Sequence, residues 1–240
     1  MSSTLLKAVR VGLAELRDPI KASSAQAYMK SSMPYYGVAA PKQRSVYSKV
    51  FADHPLETFE EWEETVLELW RTAKFREERY AAIELTGHKL YRPYQTLEAL
   101  PIYEEMITDG AWWDYVDAVA VQRIGKLLLP LYRNPITTTM KLWSVDPHLW
   151  KRRSSIICQV GQVGLKGDTD LKLLYHCIEN NVDDRDFFIR KAIGWALRAY
   201  AWIDAKEITD YVAAHPALSP LSKREALRNT LRNPQPEGQT

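Results

Sequence analysis

The sequence predicts an all-α chain of stacked helical repeats, and three observations carry that prediction. Between Pro, Asn, Asp and Gly breaks, apolar residues recur at three- and four-residue spacing in almost every segment. Alternation of the kind a half-buried strand needs is hard to find. Aromatic residues recur at Phe75, Trp113, Trp150 and Phe187, at intervals of 38, 37 and 37 residues, which is the period of a helical pair. The last two copies share more: Trp150, Arg153, Ser155 and Ile156 match Phe187, Arg190, Ala192 and Ile193 at the same offsets. Stacked helical pairs curve into a solenoid whose concave side takes one equivalent helix from each repeat, so side chains at matching positions converge on one surface.

The helices follow from their start and stop signals. They are expected near 4–16, 23–31, 41–53, 59–73, 75–89, 96–109, 112–132, 136–144, 147–163, 170–180, 186–202, 205–214 and 220–231. Thr58, with Glu61 three residues on, forms a capping box ahead of Val66, Leu67 and Leu69. Pro41, Pro147 and Pro220 each suit a first helical position, and Pro55, Pro93 and Pro216 punctuate helix ends. A single domain is expected to run to about residue 232, followed by a polar tail, 233–240, expected to be disordered.

Composition narrows the function classes. A chain of 240 residues with 46% hydrophobic and 26% charged residues can bury a substantial core, which argues against disorder outside the ends. The opening MSSTLLKAVRVGLAEL places a charge every few residues, and no stretch is apolar for long enough to span a bilayer, so no membrane partner and a cytoplasmic location are expected. Cys158 and Cys177 are too few for a disulfide framework and lie in no zinc spacing, which makes them core residues. His54, His88, His148, His176 and His215 are scattered, and there is no Gly-rich phosphate loop. Neither a metal nor a cofactor is therefore expected, and the chain is read as a monomer.

The net charge of +2 hides a segregation. Residues 1–51 carry eight Lys/Arg against two Asp/Glu, residues 52–109 six against fourteen, and residues 121–198 thirteen against seven. Any one charge run is most simply a solvated helix face. Two basic segments interleaved with aromatics, at Tyr28 to Arg44 and at Trp150 to Arg198, also suit a face that binds a polyanion.

The residues with chemistry to offer lie on the repeated helices. Trp113 and Asp117 are one turn apart, as are Trp195 and Arg198, and Arg153 stands on the intervening repeat. Ordinary readings exist for all of them: the indoles as core, Asp117 as solvated or paired with an arginine, Arg153 as an inter-repeat ion pair, and Tyr28 as packing beside Ala25 and Met29.

Five segments add to this: AYMKSSMPYYGVAAPKQR (27–44), AWWDYVDAVA (111–120), LWKRRSSI (149–156), FFIRKAIGWALRAYA (187–201) and LSKREAL (221–227). In this order and at this separation they resemble the bacterial DNA alkylation repair glycosylases of the AlkD type, over nearly the whole chain. The resemblance implies a superhelix of HEAT-like repeats whose concave face grips duplex DNA through its backbone. It implies a catalytic cluster at Trp113, Asp117 and Trp195, supported by Arg153 and Tyr28. It further implies 3-methyladenine and 7-methylguanine as substrates, tolerance of bulky cationic adducts, and a lesion that stays largely outside the protein, unlike the extruded base of many base-processing enzymes. Two departures stand out: the segment after Gly37 reads VAAPKQR, and Ser154 and Ser155 replace small apolar residues, where their hydroxyls are expected to loosen repeat packing slightly or to bond backbone carbonyls.

These residue types fit a particular reaction. A purine methylated at N3 or N7 is already a cationic leaving group, so what needs stabilising is the sugar as it becomes an oxocarbenium ion. Tryptophan faces attract a cation by roughly 0.5–2 kcal/mol each, and an ionised Asp117 adds charge and can position water. Arg153 is expected to hold a phosphate near the lesion, with Arg198, Lys42 and Arg44 as further backbone contacts, the last two after Pro41 at a helix start. No lysine stands out as a Schiff-base former, so a monofunctional enzyme of base excision repair is expected. Two other readings are a non-catalytic repeat protein that binds distorted or branched DNA, and a protein-interaction scaffold using acidic residues 52–109.

Overall fold

The computed structural model describes residues 2–162 and 169–228, and no strand occurs among them. The architecture is all-α. Backbone contacts divide the chain into one compact unit up to Ile102 and another from Tyr103 onward.

In the first unit α1 (Ser2–Ala14), α3 (Ala40–Asp53), α4 (Phe59–Arg71) and α5 (Arg76–Gly87) pack on one another. Leu5, Val9, Leu13, Phe51, Trp62, Val66, Leu69, Trp70 and Leu85 are almost completely buried between them, and they are the residues that the three- and four-residue spacing marks as inward. Helix α2 (Pro19–Met29) starts four residues earlier than expected because the Asp18 side chain accepts from the Lys21 amide while Pro19 supplies a preset first turn. Thr58 caps α4 by accepting from the Glu61 amide, but the return arm of the capping box shifts: Glu61 Oε2 accepts from the amide of Glu57. Pro93, expected to end a helix, lies inside a 3₁₀ segment, Lys89–Tyr94.

The segment between α2 and α3 is held from below by two buried carboxylates. Glu77 accepts from the amides of Tyr36, Gly37 and Val38 at 2.9, 2.8 and 3.3 Å. Glu78 accepts from the Tyr36 hydroxyl and from Arg10. Gly37 has φ +83°, and a Cβ there would lie 2.1 Å from the Asp18 carbonyl oxygen. The glycine therefore lets this loop close onto the start of α2, which fixes the helix that carries Tyr28.

In the second unit α7 (Trp113–Val119), α10 (Leu149–Ile157), α12 (Phe187–Tyr200) and α14 (Pro220–Ala226) pack in succession. Among them, α9 (Arg133–Trp143) and α11 (Leu171–Glu179) pack against each other and against α10, while α13 (Ala205–Ala214) packs against α12 and α14. Helix α6 (Leu100–Gly110) leads into the unit. The recurring aromatics do stand at helix starts, but the ring that packs is displaced by one residue in two of them. Trp112, Trp150 and Phe188 form one cluster, with centroids 5.0–6.2 Å apart. Trp113 stacks on no ring of the cluster, and Phe187, 53% exposed, meets it only at its edge, T-shaped against Phe188 at 5.4 Å. Cys158 and Cys177 are buried and free, and burial pushes the Cys177 thiol up to about 12.

Two expected helices differ in form. Pro147 lies outside α10, which begins at Leu149, because the Asp146 carboxylate accepts from the His148 amide and holds a turn there. The helix expected over 112–132 changes pitch: α7 passes into a π-helix, Ala120–Leu128, and then a short turn, α8 (Leu129–Leu131). Pro130 has no amide to give Lys126, and the ladder widens before it, with the Leu129 amide reaching back to Ile124. Gly125 sits where this wide segment meets the end of α10, and a Cβ there would lie 1.8 Å from the Cys158 carbonyl oxygen. Gly125→Ala is expected to cost about 1–3 kcal/mol or more, read as a lower thermal midpoint. An unchanged midpoint would show that this contact is slack. Residue 163 of one expected helix, residues 229–231 of another, and the 233–240 tail lie outside the described residues.

Candidate active site

Helices α7, α10 and α12 are tied together by one guanidinium. Arg153, 4% exposed, donates Nε–H to Asp117 Oδ1 at 2.8 Å and Nη2–H to Asp117 Oδ2 at 2.7 Å, a fork-to-fork pair between α10 and α7. Its Nη1 donates to the Phe188 carbonyl oxygen on α12 at 2.6 Å. The Phe188 ring lies 6.0 Å from the guanidinium, within the Trp112, Trp150 and Phe188 cluster. The Ser154 and Ser155 hydroxyls bond the Trp150 and Arg152 carbonyls, so neither is left unsatisfied beside Arg153.

This geometry changes the role expected of Arg153. Its charge is paired with Asp117 and its side chain is buried, the geometry of the ion-pair reading. Asp117 itself is partly accessible. Burial pushes its carboxyl above the ordinary 3.8, and the hydrogen bonds and charge of Arg153 pull against that rise. Trp113 stands one turn before Asp117 on α7, and Trp195 stands two turns after Phe188 on α12; both indoles are half-buried. Neither stacks on another ring among the described residues.

Entry to α7 is strained. Ala111 has φ +41°, a conformation that favours glycine, and it turns the chain between Gly110 and the cap residue Trp112. Ala111→Gly is expected to raise stability by up to about 1 kcal/mol, measured by denaturant midpoint. A loss of stability would show that the methyl group packs.

Four other basic residues on α10 and α12 are also paired. Lys151 reaches Glu104 and Asp146, and Arg152 reaches Asp184. Arg198 and Lys191 share Glu225 at 2.5 and 3.2 Å. Burial pushes the Glu225 carboxyl up, but the two cations outweigh it and hold it below its usual range. Arg198 is thus half of an ion pair between α12 and α14, in place of the free backbone contact expected. Gly194 permits that approach, since a Cβ there would lie 2.5 Å from Glu225 Cβ.

The first unit holds the remaining expected contacts. Tyr28 is 77% exposed while its neighbour Met29 is buried, which excludes the packing role for Tyr28. Lys42 and Arg44 are exposed at the start of α3. The Lys42 and Gln43 amides donate to the Ala39 carbonyl, so these amides are not free to cradle a phosphate, and what Lys42 and Arg44 offer is side-chain charge. Among the described residues no group of His, Cys, Asp and Glu could hold a metal ion, and no helix is long and apolar enough to cross a membrane.

Sequence reasoning missed the Phe188 carbonyl, Glu225 and the division of labour between Trp112 and Trp113. The doubled aromatics, WW at 112–113 and FF at 187–188, were the available signal: Trp112 and Phe188 join Trp150 in the cluster, while Phe187 lies at its edge against Phe188.

The fold and the constellation together define a helical-repeat protein with tryptophans and an arginine-clamped carboxylate at its surface. The chain belongs to the DNA alkylation repair enzyme family, whose model matches residues 9–230. A solved structure described as a predicted DNA alkylation repair enzyme from Enterococcus faecalis is similar, with 26% identity and a TM-score of 0.80, over 90% of this chain and 98% of that one. None of the curated proteins compared matches the chain.

Proposed function

We propose that this chain is a DNA N-glycosylase that hydrolyses the N-glycosidic bond of cationic alkylated purines, 3-methyladenine and 7-methylguanine among them, in duplex DNA. The observation that carries this reading is the Asp117–Arg153 pair: a partly accessible carboxylate, fixed in orientation by a buried guanidinium, one turn from a half-buried indole. A cationic purine leaves without much help from an acid, and its departure puts positive charge on the sugar. The carboxylate of Asp117 opposes that charge and can orient the attacking water, and the faces of Trp113 and Trp195 add cation–π attraction. Arg153 is a positioning residue, because it acts through Asp117. Tyr28, Lys42 and Arg44 serve DNA contact through side chains. Such a site selects charge rather than base shape, so neutral bases are left in place and bulkier cationic adducts are tolerated. The protein acts as a monomer, without strand cleavage.

The test is release of 7-methylguanine from methylated duplex DNA by the purified protein in excess chelator. Release supports the reading. Salt-sensitive DNA binding without release from methylated or bulkier cationic lesions would leave a non-catalytic DNA-binding protein in its place.

A further inference from the structure

The first unit contains a cleft of about 390 Å³ between α3 and the end of α5, with Arg44, Ser48 and Phe51 on one side and Glu84, His88 and Lys89 on the other. Small-molecule sites commonly occupy roughly 300–1,000 Å³. Arg44, Ser48 and Lys89 are exposed, and none has an ion-pair or side-chain hydrogen-bond partner among the described residues. This is the reverse of Lys151, Arg152, Arg153, Lys191 and Arg198, each of which already has a carboxylate.

The fourth polar group is an orphan. His88 Nδ1 is buried and has no hydrogen-bond partner, and its ring stands edge-on to Phe51 at 5.5 Å. That nitrogen is sealed from solvent, so it is not itself open to a ligand in the cleft. Burial, aided by Lys89, holds the imidazole below its ordinary pKa, so at neutral pH it is uncharged and offers an N–H or a lone pair according to tautomer. Two cations face one carboxylate, Glu84, so the cleft as a whole attracts an anion.

We infer that this cleft binds the phosphate of a nucleotide. Arg44 supplies a guanidinium fork and Lys89 a point charge, the pairing that phosphate oxygens accept. The exposed Ser48 hydroxyl adds a neutral hydrogen bond. Arg44 thereby serves a site formed with the end of α5, distinct from the α3 start to which its sequence position points. The phosphate belongs either to a free mononucleotide or to a DNA strand, and only the second source rests on the DNA reading proposed above.

Calorimetric titration of the full chain distinguishes them, using 2′-deoxyadenosine 5′-monophosphate, deoxyadenosine and an unmodified duplex. The comparison is the Arg44→Ala/Lys89→Ala double variant, whose changes are at exposed positions. Binding of the monophosphate but not the nucleoside, weakened at least tenfold in the variant, identifies a free-nucleotide site. A monophosphate that does not bind, with duplex affinity lowered and its salt dependence flattened by about one charge in Lys89→Ala alone, which leaves the Arg44 contact proposed above in place, identifies a strand phosphate. If Lys89→Ala matches the wild type with every probe, the inference is overturned. Base release is not a readout here, so a protein that binds the monophosphate but frees no base keeps this site while losing the glycosylase reading.

Discussion

Asp117→Asn is expected to lower the release of 7-methylguanine by on the order of 10²-fold, with duplex affinity nearly unchanged. The substitution keeps the volume and one oxygen acceptor for Arg153, and it removes the charge that opposes the developing sugar cation. A hundredfold loss corresponds to about 2.7 kcal/mol of transition-state stabilisation, in the range of one well-placed electrostatic group. The wild-type pH profile carries a second signature. Activity needs the ionised carboxylate, so kcat/KM falls as pH drops through the pKa of Asp117. Burial holds that pKa above the ordinary 3.8, so the acid limb lies above the range of an exposed aspartate. The limb should be absent from whatever activity Asp117→Asn retains. Circular dichroism confirms that the variant is folded; release within a few-fold of wild type would remove Asp117 from the mechanism.

The raised pKa has a linked effect on stability. Between the ordinary and the raised value the folded chain binds a proton that the unfolded chain has released. This group therefore favours folding most at low pH, and its contribution declines as pH rises through that window.

Much of this molecule can be read from periodicity, and the misreadings have definite causes. Helix interiors such as Trp62, Val66 and Leu69 follow the 3.6-residue pattern and are buried as that pattern requires. Starts set by a local side chain were harder to place. Asp18 captures the first turn of α2, and Asp146 withholds Pro147 from α10, and each is a single hydrogen bond that periodicity does not encode. The aromatic repeat was visible, yet a period near 37 cannot separate Trp113 from Trp112, and only packing shows that 112, 150 and 188 share one cluster. Charge was the least legible. The basic run at 151–153 suited a phosphate-binding face, but its partners Glu104, Asp146, Asp184 and Asp117 come from elsewhere in the chain, and each neutralises it locally. At the site, residue types and helix spacing were readable, whereas the bidentate geometry that makes Arg153 a clamp was not.

Arg153→Met tests that clamp and is expected to give the largest stability loss of any single change at the site. Methionine fills part of the space between α7, α10 and α12, but it leaves Asp117 and the Phe188 carbonyl without their donor. Breaking a buried pair from one side typically costs about 3–5 kcal/mol. The lower end is expected here, because the Asp117 side chain keeps 18% of its exposure and can recruit water. A drop of about 3 kcal/mol lowers the thermal midpoint by roughly 6–12 °C for a chain of this size. Adding Asp117→Asn to Arg153→Met should restore part of that loss, since an uncharged amide is easier to leave unpaired than a carboxylate, and the resulting cycle gives the coupling between the two. Without the guanidinium to favour the ionised form, the Asp117 pKa rises further, so the acid limb of the Arg153→Met profile moves to higher pH. A phosphate-binding Arg153 would behave differently: duplex affinity and its salt dependence would both fall, while the acid limb stayed in place. An ion-pair clamp leaves the salt dependence alone and moves the limb, so the two roles part on measurements that do not depend on how much activity survives.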